Sequence, residues 1–322
     1  MLLEINDLHV YYKSYWYTLK VLNGVWLRLD RGERIGVIGE SGSGKTTLLK
    51  SILKILPQNG MIPRGEIRYD GKDILKLSGN ELSKIRRKEI GMIFQDPMAA
   101  LNPVFKIKDQ LYDILKYKMM IEGHNPSSKE LYEEASKIFS DVRLPDPDRV
   151  LESYPFQLSG GMRQRVMIAM ALISAEKLLL ADEPTTNLDV TIQDQILKLI
   201  HRLVMQKNLS TILVSHALGM VYQMTDRVYV LYAGDIMEEA RTRELFSHPK
   251  HPYTQLLVAS TPRLSSVGVG EGIKGKLPDY RNPPAGCRFA PRCPYVMDKC
   301  INTKPGKIQV NREHVVSCYL YD

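Results

Sequence analysis

At 322 residues the chain exceeds the usual span of one compact domain, and 44% hydrophobic with 25% charged residues excludes disorder on the scale of the whole chain. The formal charge of +8 suits an anionic partner, whether nucleotide, membrane surface or nucleic acid, and does not choose among them. No apolar run approaches the roughly 18 to 20 residues that cross a bilayer, and the opening MLLEINDLHV carries acidic residues with no basic n-region, so it reads as no secretory signal.

The first forty residues read as strands. LEINDLHVYY is apolar and aromatic, VLNGVWLRLD alternates with period two, and RIGVIG is a short β-branched run of the kind buried in a parallel sheet. It breaks into glycines and continues as TTLLKSILKIL with helical spacing: strand, glycine loop, helix. GEIRYDGKDI and EIGMIFQ follow as strands around a helix whose KIRRK cluster, 84–88, reads as a solvated basic face. KDQLYDILKYKMM and KELYEEASKIFSDVRL are amphipathic and flank the breaker EGHNPSS, which predicts an inserted α-helical subdomain over about 100–165. VMIAMALIS, KLLLADE, IQDQILKLIHRLVMQ, TILVSH and RVYVLYAG then alternate helix and strand, the pattern of a parallel α/β sheet. After about 240 the texture changes: RTRELFSHPKHPYTQLLVAS is helical in parts, and 262–294 is rich in Gly and Pro. The predicted division is 1–240 for the α/β core with its N-terminal β subdomain and helical insert, and 241–322 for a small irregular extension.

Gly39-Glu-Ser41-Gly42-Ser43-Gly44-Lys45-Thr46 matches G-x4-G-K-[ST] in the strand-to-helix context that a phosphate-binding P-loop requires. Its glycines let backbone N–H groups curl around phosphate oxygens, and the next helix, beginning Thr46-Thr47, offers its positive end to the same anion. Lys45 is expected to bridge the β- and γ-phosphates of ATP, and the Thr46 hydroxyl to ligate Mg²⁺. The apolar run 178–181 ends in Asp182, expected to hold Mg²⁺, and Glu183, expected to polarise the attacking water.

Leu158-Ser159-Gly160-Gly161-Met-Arg-Gln-Arg165 resembles the LSGGQ signature of ABC ATPases, and the chain is identified as a member of that family. The resemblance implies a P-loop NTPase (RecA-like) core in which Ser159, Gly160 and Gly161 face the γ-phosphate held by an opposite subunit, so that one chain carries two half-sites. It assigns Gln95 of FQDP to the Q-loop, which touches Mg²⁺ or water, and Asn187-Leu188-Asp189 to the D-loop, though the family more often has Ala or Gly before that Leu. His216 becomes the switch histidine, and Tyr12 the aromatic that stacks on adenine, with Tyr11, Tyr15, Trp16 and Tyr17 as rivals. The segments QDPMAALNPV, HPYTQLL and GCRFAPRCPY narrow the resemblance to ATPase subunits of oligopeptide, dipeptide and nickel importers. A second homologous ATPase, two membrane-spanning permease subunits and, indirectly, an extracytoplasmic substrate-binding protein are the implied partners. No nucleic acid is implied, and the implied location is peripheral, at the cytoplasmic face of the membrane. Another importer class or exporter, or a soluble ABC ATPase, are the alternatives.

Cys287, Cys293, Cys300 and Cys318 are the only cysteines, confined to the Gly- and Pro-rich tail. Four thiolates would supply stabilisation that apolar burial there lacks. No C-x2-C pair of the usual zinc kind is present. The family resemblance implies a four-iron four-sulfur (4Fe-4S) cluster, hence a metal-binding extension; zinc, disulfides and free thiols stay open.

Overall fold

The computed structural model describes residues 1–186, 188–260 and 272–322. Asn187 of the D-loop triplet, and 261–271 of the Gly- and Pro-rich stretch, lie outside the described residues.

In chain order the elements are β1 (Leu3–Lys13), β2 (Thr18–Leu29), β3 (Arg34–Ile38), α1 (Lys45–Ile52), β4 (Gly60–Tyr69), β5 (Lys72–Asp73), α2 (Gly79–Lys88) and β6 (Ile90–Ile93). Four helices follow, α3 (Pro97–Ala100), α4 (Ile107–Ile121), α5 (Ser128–Asp141) and α6 (Pro147–Glu152), then α7 (Gly160–Ser174), β7 (Leu178–Asp182), α8 (Val190–Lys207) and β8 (Ser210–Val214). The chain ends with α9 (Leu218–Met224), β9 (Arg227–Tyr232), β10 (Asp235–Arg241), α10 (Thr242–Ser247), α11 (Pro252–Ala259), α12 (Asp298–Asn302), β11 (Ile308–Asn311) and β12 (His314–Val316). These elements form two compact units.

One unit comprises Met1–Asp30, Arg34–Lys76 and Leu213–Asp322. Its N-terminal sheet is antiparallel, ordered β2-β1-β4-β5. Alternation places Leu3, Ile5, Leu8 and Val10 of β1 in the core, and the register shift between Ile5 and Leu8 absorbs Asp7 at φ 48°. Beside it, β3 pairs in parallel with β9, Ile35↔Arg227 to Ile38↔Val230, and β9 is buried along its whole length. Parallel strands covered on both faces read as continuous apolar runs, which is what RIGVI and RVYVLY are.

The Gly- and Pro-rich tail is organised here by backbone pairing and a small aromatic cluster. β12 adds to β10, Glu238↔Val316 to Ala240↔His314, and β11 adds to β12. Phe289, fully buried, meets Tyr232 edge-on at 5.1 Å and Tyr253 at 5.3 Å. Each such pair contributes about 0.5–1.5 kcal/mol beyond the area it buries. Arg288, 2% exposed, donates to the carbonyls of Ala233 and Lys20. Strand pairs of three residues have no periodicity for a sequence to display.

The second unit comprises Arg31–Glu33 and Leu77–Ile212. β6 and β7 pair in parallel, Ile90↔Leu178 to Ile93↔Ala181, and both are fully buried. Its helices begin at recognisable caps: Ser78 with Glu81 and Ser127 with Glu130 form capping boxes, and Asp189 caps α8. α7 has buried residues from Gln164 to Ile173 on every side, as a helix running through a core must.

Candidate functional site

In the first unit the P-loop joins β3 to α1. A Cβ at Gly39 would lie 2.0 Å from the Leu231 carbonyl oxygen, so no side chain fits there. Gly44 takes φ 106° at the N-cap of α1 and supplies no side chain to cap it. A helix begun this way offers its N–H donors and positive dipole end to an anion. The Ser43 hydroxyl is buried and, among the described residues, has no hydrogen-bond partner, a cost that a phosphate oxygen would relieve. Lys45, 5% exposed, donates from Nζ to the carbonyls of Gly39 at 2.9 Å and Glu40 at 3.0 Å. The ammonium is thus folded back on its own loop. Ser41 and Gly42 are exposed at the rim.

Tyr12 shares a hydrogen bond with the Thr47 hydroxyl at 3.2 Å, which brings its ring to the start of α1. Its rivals stand differently: Tyr15 and Trp16 are 89% and 84% exposed and pack edge-on against each other at 4.7 Å, and Tyr17 carries the Arg281 guanidinium over its ring. Tyr11 packs edge-on against His9. His216 lies just beyond β8, exposed, in a turn where the Ala217 N–H donates to the Ser215 hydroxyl at 2.9 Å.

In the second unit β6 and β7 lie side by side, and each ends in a candidate catalytic residue. Asp182 is buried at the end of β7. Glu183 follows with φ 45°, a conformation that a non-glycine residue holds only under local constraint. The constraint is visible: Gln95 Nε2 donates to Glu183 Oε2 at 3.0 Å, the Thr186 hydroxyl donates to the same oxygen at 3.2 Å, and buried Gln164 donates to the Pro184 carbonyl at 2.5 Å. Ser159 caps α7, accepting from the Met162 N–H at 3.3 Å, and stands exposed with Gly160 and Gly161 behind it. Asp189 caps α8 through the Ile192 N–H at 3.0 Å and is also exposed.

Cys287, Cys293, Cys300 and Cys318 line one cavity with His251, Phe289 and Met297. All four are free thiols, and burial pushes the Cys287 thiol up to about 12 and raises those of Cys293 and Cys318. The space between them is about 10 Å³, room for about one water. Among the described residues no group of three or more His, Cys, Asp or Glu is arranged to hold a metal ion. The geometry therefore lends no support to the expected metal-binding extension, although it brings the four thiols together.

The family model described as "ABC transporter" matches residues 22–186, and that described as "Oligopeptide/dipeptide transporter, C-terminal region" matches 237–300. The chain is 44% identical to the oligopeptide transport ATP-binding protein OppD of Bacillus subtilis, over 99% of this chain and 88% of the relative. It is 43% identical to the dipeptide transport ATP-binding protein DppD of the same organism, over 99% of this chain and 95% of the relative. A dimeric ATP-binding cassette in a post-hydrolysis state with ADP and phosphate superposes with a TM-score of 0.66 at 28% identity, covering 75% of this chain and 99% of that one. The chain belongs to the ABC transporter ATP-binding subunits.

As an ABC ATPase it has no helix, among the described residues, long and apolar enough to cross a membrane. The cassette match ends before Asp189 and His216, whose positions rest on their own local geometry. Two residues of this ABC ATPase escaped the sequence reading. Thr186 was hidden although it lies three residues past Glu183, the spacing at which a hydroxyl reaches back within a turn. Gln164 lies inside the signature stretch, where nothing in the motif marks it as the anchor of Pro184.

Proposed function

We propose that this ABC ATPase powers the uptake of peptides, dipeptides or oligopeptides, through a membrane importer. It works peripherally at the cytoplasmic face with two membrane-spanning subunits and a second homologous ATPase; an extracytoplasmic binding protein supplies the peptide. The observation that carries the transport reading is the resemblance to peptide-transport relatives across the C-terminal region as well as the cassette.

The P-loop N–H groups and Lys45 bind the β- and γ-phosphates, and Tyr12 stacks on adenine. Thr46, Gln95 and Asp182 would hold Mg²⁺, which when bound neutralises charge on the phosphates. Glu183 accepts a proton from water as the water oxygen bonds to the γ-phosphorus; the bond from that phosphorus to the bridging oxygen breaks, and ADP leaves with the electron pair. His216 orients the γ-phosphate. Ser159, Gly160 and Gly161 act on the nucleotide of the opposite ATPase, and Asp189 acts across the same dimer. Exposure of Ser159 and Asp189 at the starts of α7 and α8 supports a partner-facing role.

The four cysteines are proposed as ligands of a 4Fe-4S cluster, with zinc as the second reading. The donor type fits, since the four thiols line one cavity. Such a cluster would supply cross-linking of the tail.

Purification of the chain from its native membranes tests the reading. The chain should purify with two membrane-spanning proteins and show ATP hydrolysis stimulated by peptide-loaded binding protein, abolished by Lys45→Ala. Purification without membrane partners, or hydrolysis indifferent to peptide, would overturn it.

A further inference from the structure

The P-loop carries a carboxylate. Glu40 is its second residue, beside the place where a polyanionic nucleotide must settle, and an unpaired negative charge there opposes binding. Arg292 answers it from the C-terminal extension. Its guanidinium, 5% exposed, grips Glu40 as a fork, Nη1 to Oε2 at 2.7 Å and Nη2 to Oε1 at 3.0 Å. The remaining donors are also committed: Nη1 to the Tyr232 hydroxyl at 3.2 Å, Nε to the Lys274 carbonyl at 2.8 Å, and Nη2 to the Ile273 carbonyl at 3.0 Å. A bidentate arginine this closely held fixes both the charge and the orientation of the carboxylate it grips.

Two tyrosines extend the grip. The Glu40 N–H donates to the Tyr253 hydroxyl at 2.9 Å, and the Tyr280 hydroxyl donates to the Gly42 carbonyl at 2.6 Å. Leu277 lies against Gly42, 3.4 Å from where a Cβ would stand. The Glu40 N–H and carboxylate and the Gly42 carbonyl are thereby taken up by residues beyond 250. A loop held in place before its ligand arrives binds at a smaller ordering cost.

We propose that Arg292, with Tyr253 and Tyr280, is a positioning residue for the P-loop, cancelling the Glu40 charge and holding the loop ready for nucleotide phosphates. The inference rests on the P-loop being the ATP site. Arg292 acts through Glu40 and does not touch the reacting atoms.

The test is calorimetric titration of the full chain with magnesium-ADP, with steady-state ATP hydrolysis alongside. Arg292→Ala should weaken ADP binding about tenfold or more and raise KM for ATP in step, with kcat at saturating ATP within about twofold. Adding Glu40→Gln to Arg292→Ala should recover most of the affinity, because the repelling charge is gone; a merely structural defect would not be mended by a second change in the loop. Tyr280→Phe, which removes one hydroxyl and nothing else, should weaken ADP about two- to fivefold and keeps the test open if Arg292→Ala does not fold. Unchanged affinity in Arg292→Ala or in Tyr280→Phe, or a loss that Glu40→Gln does not relieve, would overturn the inference. Failure of the unsubstituted chain to bind ADP would instead overturn the ATPase reading beneath it.

Discussion

Gln95 and Glu183 meet through a hydrogen bond of 3.0 Å, amide to carboxylate. The two residues sit past the C-terminal ends of adjacent parallel strands, β6 and β7, where α/β sheets place their reacting groups. The carboxylate assigned as base is therefore held by a side chain from a neighbouring strand as well as by Thr186 from its own turn.

Thr186→Val keeps the shape of the side chain and removes that second hold. A hydrogen bond to a charged group of about 1.5–3 kcal/mol corresponds to a fall in kcat of about tenfold or more. KM for ATP should stay within about twofold. A raised KM with unchanged kcat would mean that Thr186 serves nucleotide binding instead of the base.

Tyr12 is tied to Thr47 at the mouth of the P-loop, whereas Trp16 stands in solvent. Stacking on a base contributes about 1–3 kcal/mol, so Tyr12→Ala should weaken ADP binding about fivefold or more, measured by calorimetry. Tyr12→Phe should retain most of the affinity. Trp16→Ala should change it less than twofold; the opposite ranking would move adenine to the exposed pair.

Arg34 and Asp226 join β3 to the entry of β9 through Nη2 to Oδ1 at 2.6 Å and Nε to Oδ2 at 3.0 Å. Burial raises the Asp226 carboxyl, but the hydrogen bonds and charge of Arg34 outweigh it and hold the group below its usual 3.8. A depressed carboxylate contributes stability that is present above the unfolded value and is lost as pH falls through the folded one. Asp226→Asn should therefore cost about 1–3 kcal/mol at neutral pH, and the difference from the native chain should shrink below pH 3.8 in urea melts. A difference independent of pH would show that the charge is not what stabilises.

The cysteine proposal makes a spectroscopic commitment. Chain purified anaerobically should be brown, with about four irons and four sulfides, and Cys300→Ala should lose both colour and iron. One zinc per chain without colour would favour the second reading. Metal-free protein with four titratable thiols would contradict both.

How much of this was legible beforehand depends on how far apart the partners lie. The P-loop, the Asp182–Glu183 pair and the Ser159 signature are contiguous strings whose chemistry depends on immediate neighbours, so a sequence displays them. Arg292 was not legible, because Glu40 lies 252 residues away and no periodicity marks a long-range ion pair. The contacts that order the tail were hidden for a related reason. Its order comes from β12 joining β10 and from Phe289 meeting Tyr232 and Tyr253, contacts invisible in a stretch of Gly and Pro.

The measurement closest to the heart of the account is turnover and nucleotide retention by Glu183→Gln in the assembled transporter. Loss of a positioned general base lowers rates about 10²–10⁴-fold, so ATP hydrolysis should fall by at least about a hundredfold while unhydrolysed ATP stays bound and the two ATPase subunits stay associated. Hydrolysis at the native rate, with no ATP retained, would contradict Glu183 as the base and the nucleotide-clasping dimer with it.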